Sequence, residues 1–165
     1  MSLLEIEEME TDEINKMISR EDFGHLGCSH NSVPYVVPIN YAFLDPHIYI
    51  YTTEGKKSET LHSNPHVCLQ IENIKSRNDW QSVIIEAVAH QVNDVEERER
   101  AVDAILKINP TLTPAISVHW MDDWVRENIE IIFRLEISSK TGRTTKKQKA
   151  KPFVGRDNSP KQTES

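Results

Sequence analysis

One segment near the C-terminal end alternates strictly between apolar and polar residues. In IEIIFRLEISS, residues 129–139, the apolar set is Ile129, Ile131, Phe133, Leu135 and Ile137, and the charged set is Glu130, Arg134 and Glu136. A repeat of two residues is the geometry of a strand, because helical side chains repeat every 3.6 residues. The chain must therefore build a sheet that buries one face, and this strand needs partners from elsewhere in the sequence.

Five other segments have the composition of strands. They are residues 23–30, 35–43, 47–53, 66–73 and 80–92. Asn31, Ser32 and Pro34 predict a turn between the first two, and residues 44–47 predict a tight turn that closes a hairpin. Early hairpins without regular strand–helix–strand alternation, and without Gly-x-Gly-x-x-Gly or Walker motifs, exclude a doubly wound nucleotide-binding sheet. The sequence predicts a mainly β fold, a six-stranded antiparallel barrel with peripheral helices.

Helices are expected on the periphery of this barrel. Thr11 is a candidate N-cap for a helix that runs to about Arg20, and residues 95–108 carry an apolar stripe at helical spacing. A short helix poor in apolar residues is expected at 54–64, and another at 113–128. These segments are too few and too irregularly placed to form a layer of their own.

Composition and charge divide the chain into a body and a tail. We expect one domain over residues 1–143 and a disordered basic tail over 144–165. Residues 140–165 hold eight Lys/Arg against two Asp/Glu, whereas the rest holds 11 against 24. A nucleic-acid arm is the alternative to a solvated tail, but Phe153 is its sole aromatic residue, which does not favour nucleic acid. No apolar run has membrane-helix length and the start is acidic, so we expect a cytoplasmic protein without a membrane segment.

The predicted second strand, YVVPINYAF at 35–43, contains two residues that a central strand does not favour. Pro38 has no N–H for the ladder, so it belongs at an edge, at a bulge or where the backbone serves another partner. Asn40, if buried, needs a hydrogen-bonding partner. The segment therefore predicts either an exposed edge strand or a strand whose backbone faces a ligand.

A polar cluster follows the third predicted strand and begins the second helix. It consists of Tyr51, Thr52, Thr53, Glu54, Gly55, Lys56, Lys57 and Ser58. Two hydroxyls, a glycine that permits close backbone approach, two lysines and a helix N-terminus are the elements of a phosphate site. A solvated turn with surface lysines explains the same composition, so the cluster by itself leaves both interpretations open.

These blocks occur in an order that resembles a known family. VVPINYAF at 36–43, GKKSETLHSNPHVC at 55–68 and WQSVIIEAVAHQV at 80–92 resemble the pyridoxamine 5′-phosphate oxidase-like FMN-binding split barrels, over roughly residues 11–143. The G-[RK]-K-x-x-x-L-x-x-N-P-x-V-C pattern is similar to the branch that includes nitroimidazole-resistance proteins. The resemblance implies a split β-barrel that forms a homodimer with FMN at the interface, where a ring-facing strand would accept Pro38 and Asn40.

The resemblance also assigns cofactor-binding residues. Along the isoalloxazine ring of FMN would lie Val37, Pro38, Ile39 and Asn40. Ribityl or phosphate oxygens would be contacted by Thr52 and Thr53, and the phosphate would be neutralised by Lys56 and Lys57, with Tyr51 and Gly55 in the same cluster. Trp80 and Ser82 match a W-x-S-V block and would approach the flavin across the dimer interface, although a buried interface tryptophan explains Trp80 as well. Thr141-Gly142-Arg143, expected after the last strand, resembles the block that closes these domains; Arg143 would assist the phosphate or simply begin the tail.

No metal site is predicted. Cys28 and Cys68 lie in strand patterns without zinc-site spacing, so we interpret them as reduced thiols in or near the core. His25 projects from the opposite face of its strand to Cys28 and His30, so the three cannot converge. Some split-barrel relatives handle haem, but no histidine of this chain stands out as an axial ligand.

Three functions fit this sequence. The first is an FMN-dependent oxidoreductase that passes electrons or hydride from a donor such as a reduced nicotinamide to a small-molecule acceptor, for instance a nitroaromatic. The second is a non-enzymatic flavin-binding redox module, and the third a haem-binding split barrel. A vitamin B6 oxidase is disfavoured because its arginine-rich motifs are absent. No paired carboxylates or nucleophile motif stands out, so no catalytic residue is assigned.

Overall fold

A computed structural model describes residues 3–52, 56–108 and 131–146. Within these ranges the strands are β1 (Ile6–Glu8), β2 (Phe23–His30), β3 (Val33–Asn40), β4 (Ala42–Leu44), β5 (His47–Thr52), β6 (His66–Ser76), β7 (Asp79–Gln91) and β8 (Ile131–Thr145). The helices are α1 (Thr11–Arg20), α2 (Lys56–Ser63) and α3 (Val95–Ile108). None of the described helices is long and apolar enough to cross a membrane.

The strands form one antiparallel sheet in the order β3-β2-β6-β7-β8-β5-β4, and β1 pairs with the C-terminal end of β8. β3 and β4 lie at opposite ends of this order, yet Tyr41 alone separates them in the chain. This short link brings the two ends of the sheet together, so the sheet must curl into a barrel. The predicted mainly β, antiparallel fold is confirmed, with eight strands in place of the six expected, because β1 and β4 are too short to show a pattern.

The barrel interior is filled by alternate residues of the long strands. Leu26 on β2, Leu69 on β6, Ile85 on β7 and Leu135 on β8 are fully buried in one cluster. Helix α1 adds its apolar stripe to the same cluster through Ile14, Met17 and Ile18. Each such side chain stabilises the fold by roughly 1.5–3 kcal/mol through its removal from water. Register in this sheet is therefore strongly specified, because a slip of one residue would turn these side chains outward.

Helix α3 covers the outer side of β4, β5 and β8. Its residues Ala101, Val102 and Ile105 pack in a second buried cluster with Tyr49 and Ile132. β5 and the start of β8 are consequently buried on both faces, which explains why the alternation of the last strand gives way to three buried residues at 131–133. The α3 segment was predicted with the observed bounds.

Several boundaries differ from the sequence-based expectations. Residue 10 holds the N-cap position of α1 without a side-chain cap bond, so Thr11 is the first helical residue and the predicted cap is wrong. The predicted strand 35–43 is broken at Tyr41, whose N–H donates to the Asp22 carbonyl at 2.9 Å. Cys28 is buried as expected, but Cys68 is exposed, and both are free thiols. The expected helix at 113–128 and the tail beyond residue 146 lie outside the described residues.

The Thr141-Gly142-Arg143 block lies inside β8 and does not follow it, contrary to expectation. Gly142 pairs with Val83, and its carbonyl accepts a hydrogen bond of 2.9 Å from the backbone N–H of Met9, the residue that follows β1. A Cβ on Gly142 would lie 2.8 Å from Met9 Sδ and 3.1 Å from Ile14 Cγ1. The glycine therefore permits the chain entering α1 to pack directly on β8.

Candidate functional site

The predicted ring-binding strand ends at an opening in the barrel, bordered by residues 37–40 and 50–52, that we name the fork. β4 pairs with β5 through Ala42 and Tyr49, whereas residues 50–52 of β5 continue along β8. β3, which immediately precedes β4, turns away to pair with β2. No ladder joins β3 to β5 in the part of the chain that the structure describes. The backbones of residues 37–40 and 50–52 therefore border one opening.

Pro38 lies on the edge strand β3, directly opposite His25 of β2. This position satisfies the constraint set by proline, since an edge strand forms a ladder on one side only. Side chains alternate along the segment: Ile39 is buried in the core and Val37 packs against it, whereas Pro38 is exposed and Asn40 is half-buried. Of the four residues predicted to lie along a ring, Pro38 and Asn40 thus present side chains to the outside, and Val37 and Ile39 could contribute backbone groups.

The predicted phosphate cluster is described in part. Thr52, the last residue of β5, is 5% exposed and shares the interior side of the strand with Ile50. Tyr51 points to the other side and packs against the α3 cluster, where burial raises the pKa of its phenol to about 12. α2 begins at Lys56, four residues after Thr52. Thr53, Gly55 and the side chains of Lys56 and Lys57 lie outside the described part of the chain.

Four strands present a continuous outward surface that we name the open face. It is formed by the outward residues Phe23 and His25 of β2, Val36, Pro38 and Asn40 of β3, Gln70 and Glu72 of β6, and Trp80, Ser82 and Ile84 of β7. Of the eight predicted cofactor-binding residues whose side chains the structure describes, four lie on it: Pro38, Asn40, Trp80 and Ser82.

A lateral row crosses the open face from β3 to β7. Pro38 is opposite His25, and His25 is opposite Gln70. The Gln70 side-chain amide donates to Ser82 Oγ and to Glu72 Oε2, each at 3.1 Å. With neighbouring strands about 4.8 Å apart, roughly 14 Å separates β3 from β7 along this row. Neither His25 nor Gln70 was predicted at this site, because only strand pairing places them between the predicted residues.

Trp80 is held at the start of β7 by contacts with the end of β8. Its N–H donates to Thr145 Oγ1 at 3.1 Å, and its carbonyl accepts from the same hydroxyl at 3.3 Å. Its side chain is half-buried. Arg143 is opposite Ser82, so its exposed side chain belongs to the same side of the sheet. The clustering of Trp80, Ser82 and Arg143 follows from the length of β8, which the sequence-based bounds underestimated.

One chain does not bring all the predicted residues together. Ser82 pairs with Arg143 and Thr52 pairs with Ile131, which are twelve residues apart at opposite ends of β8. The described part of the chain contains a cavity of about 570 Å³ between α1, β4 and α3 and another of about 280 Å³ between the β2–β3 turn and α2. Neither cavity is lined by a predicted cofactor-binding residue. Pro38, Asn40, Trp80 and Ser82 lie on an open surface that strand pairing builds.

No group of three or more His, Cys, Asp or Glu side chains is arranged to hold a metal ion in the ranges 3–52, 56–108 and 131–146. His90 Nε2 lies 3.2 Å from Glu136 Oε2 at the surface. His30 contacts Ser63 Oγ through Nδ1 at 2.7 Å and Asn31 through Nε2 at 3.1 Å. These histidines take part in local polar contacts at the surface.

Comparisons with known proteins identify the family. The model of the pyridoxamine 5′-phosphate oxidase family matches residues 10–144. The structure of an FAD-binding protein from Mesorhizobium loti superposes with a TM-score of 0.70 at 24% identity, covering 87% of this chain and 99% of that one. A candidate 5-nitroimidazole antibiotic resistance protein from Bacteroides thetaiotaomicron superposes with a TM-score of 0.67 at 21% identity, covering 87% and 90%. At these identities the two structures establish the fold.

A curated relative gives a shorter match. An uncharacterized protein from Rhizobium meliloti is 34% identical over 77 residues, which are 47% of this chain. The match spans about half, 51%, of that relative's length. The family model, by contrast, spans nearly all the described strands and helices, from the residue before α1 to the end of β8. This chain therefore belongs to the pyridoxamine 5′-phosphate oxidase family.

Proposed function

We propose that this chain binds FMN and acts as a flavin-dependent oxidoreductase, with two copies assembled as a homodimer. The observation that carries the proposal is the position of residues 37–40 at the fork, on an edge strand that belongs to a pyridoxamine 5′-phosphate oxidase-family barrel. An edge strand has backbone groups available for a ligand, and Pro38 is compatible with that position. The similarity to an FAD-binding protein supports a flavin as the ligand.

The donor set at the fork fits a flavin nucleotide. Backbone N–H and C=O groups of residues 37–40 are suited to the alternating carbonyl and N–H groups at the polar edge of the isoalloxazine ring. The N-terminus of α2 is suited to the phosphate, because its first backbone N–H groups and dipole attract anions. Lys56 and Lys57 add positive charge at that helix end, and Thr52 supplies a hydroxyl between the two regions.

In this proposal the residues of this chain bind the flavin and orient it. When bound, the flavin supplies the electron transfer, and the protein supplies position and electrostatics. Pro38 offers a rigid apolar surface to a planar ring, and Asn40 offers a polar side chain next to it. No side chain is assigned to proton transfer. The similarity to a candidate 5-nitroimidazole resistance protein supports a nitroaromatic compound as the first acceptor to test.

A second copy of the chain is the proposed partner of the open face. Phe23, Val36 and Ile84 are between 48% and 65% exposed, and they lie on the same face of the sheet as Trp80. Large apolar side chains clustered in this way are typical of a protein–protein interface. A homodimer would cover them and would bring Trp80 and Ser82 of one copy towards the fork of the other, which one chain by itself does not do.

An absorbance titration tests the function. Purified protein is titrated with FMN and then reduced anaerobically with NADH or NADPH, with a nitroaromatic added last. We expect the flavin bands near roughly 370 and 450 nm to shift on binding, to bleach with the nicotinamide and to return with the acceptor. Flavin binding without turnover would instead support a non-enzymatic redox module. Absence of flavin binding, with a Soret band on addition of haem, would overturn the proposal.

A further inference from the structure

His25 occupies the centre of the lateral row on the open face. It is opposite Pro38 on one side and Gln70 on the other. Its imidazole packs edge-on against the Phe23 ring, with centroids 5.5 Å apart and planes at 79°. Phe23 is in turn opposite Asn40. His25 is therefore the histidine adjacent to both outward-facing residues of the proposed ring-binding strand.

The imidazole nitrogens of His25 make no hydrogen bond within residues 3–52, 56–108 and 131–146, although the ring is half-buried. Its orientation is set by an apolar contact, which leaves its donors and acceptor for a ligand. The neighbouring Gln70, by contrast, is engaged with Ser82 and Glu72. The half-buried His25 ring, beside an edge strand and with no hydrogen bond to its nitrogens from the described residues, is therefore positioned to contact a ligand.

Few charged or titratable groups lie on the same side of the sheet as His25 among the described residues. The outward residues of β2 and β3 that flank it carry no charge. On β6 the titratable groups that share its side are Glu72, Cys68 and His66, and on β7 Glu86 lies farther away. Of these groups, Glu72 already accepts a hydrogen bond from Gln70.

We propose that His25 contacts the bound flavin of the same chain, with a ring N–H donating to an oxygen at the polar edge of the isoalloxazine. This inference rests on the proposed function, because it requires flavin at residues 37–40. A hydrogen bond from an imidazolium is stronger than one from a neutral imidazole. Flavin affinity should therefore increase as the pH falls and His25 becomes protonated. His25 is assigned as a cofactor-contacting residue that also sets the pH dependence of binding.

The test compares flavin dissociation constants of wild type and His25→Gln from about pH 8 to about pH 5.5. Riboflavin is used beside FMN, because the FMN phosphate itself titrates near pH 6. We expect wild type to bind riboflavin at least about threefold more tightly at the acidic end, and His25→Gln to lose this gain. His66→Gln is the matched control, since His66 is an exposed histidine on the same side of β6, four residues from Gln70.

A second measurement does not depend on the variant folding. In wild-type protein, the ring C–H signals of His25 should shift on addition of riboflavin, and the midpoint of their titration should move to higher pH, by linkage. Unchanged His25 signals, or an equal pH dependence in His25→Gln and wild type, would overturn the contact while leaving flavin binding intact. Failure of wild type to bind any flavin would overturn the proposed function and this inference with it.

Discussion

The Tyr41 hydroxyl donates a hydrogen bond of 2.8 Å to the Ile18 carbonyl, and both residues are almost completely buried. Tyr41 is the single residue between β3 and β4, so this bond ties the end of α1 to the fork of the barrel. Burial, and next the charge of Glu21, raise the pKa of the Tyr41 phenol, which keeps the hydroxyl protonated as a donor. The anchored Tyr41 thus fixes the position of the end of β3, where Asn40 lies.

Replacement of Tyr41 by phenylalanine should lower the free energy of unfolding by about 1–3 kcal/mol, because the buried Ile18 carbonyl loses this donor. Urea denaturation of wild type and Tyr41→Phe measures the difference. Tyr51→Phe is the control, since it removes the hydroxyl of another largely buried tyrosine at the fork. A Tyr41→Phe loss no greater than that of Tyr51→Phe would show that the bond to Ile18 adds no stability.

The Tyr49, Glu97 and Arg134 side chains form a polar contact under α3. Glu97 Oε1 accepts from Arg134 at 2.7 Å and from Tyr49 at 2.9 Å. The hydrogen bond from Arg134, followed by that from Tyr49, holds the pKa of Glu97 below its usual value. A carboxyl whose pKa is lower in the folded state stabilises the fold above its unfolded pKa, about 4.3, and loses that contribution as the pH falls.

Glu97→Gln should therefore be less stable than wild type by about 1–2 kcal/mol at neutral pH, with the difference narrowing below about pH 4. Thermal unfolding at several pH values between 3 and 7, on the order of one scan per pH unit, provides the measurement. Glu99→Gln, at an exposed position of the same helix, is the matched control. A constant Glu97→Gln difference across this range would contradict the ionised contact.

Lys56→Ala combined with Lys57→Ala should weaken FMN binding at least about tenfold, because two charge contacts to the phosphate are lost. Binding of riboflavin, which has no phosphate, should change little. Fluorescence titration gives both dissociation constants, and Lys75→Ala on the exposed end of β6 controls for net charge. Equal losses for FMN and riboflavin would place the lysines away from the phosphate.

Ile84→Glu should convert a dimer into a monomer of 19.0 kDa, because a charge on the β7 side of the open face cannot be covered by a second apolar surface. Light scattering gives the mass, and circular dichroism checks that the fold is retained. Val95→Glu is the control, since Val95 is 73% exposed on α3, away from the open face. A wild-type protein that is already monomeric would contradict the proposed interface.

Most strands and helices of the fold, and the family, could be predicted from the amino-acid sequence. Alternation at residues 133–137 predicted the last strand, the apolar stripe at 95–108 predicted α3, and three ordered blocks predicted the barrel. Such features are readable because side-chain period and turn chemistry are local properties of the chain. Pro38 likewise predicted an edge position for its strand, since a residue without an N–H cannot complete a ladder on both sides.

Which residues share a surface could be read only from the tertiary structure. His25 and Gln70 are 45 residues apart in sequence, yet strand pairing places them side by side next to Pro38. The same pairing extended β8 to Thr145 and separated Thr52 from Ser82. Pairing and register depend on how distant segments bury their apolar faces together, and no local pattern in the sequence contains that information.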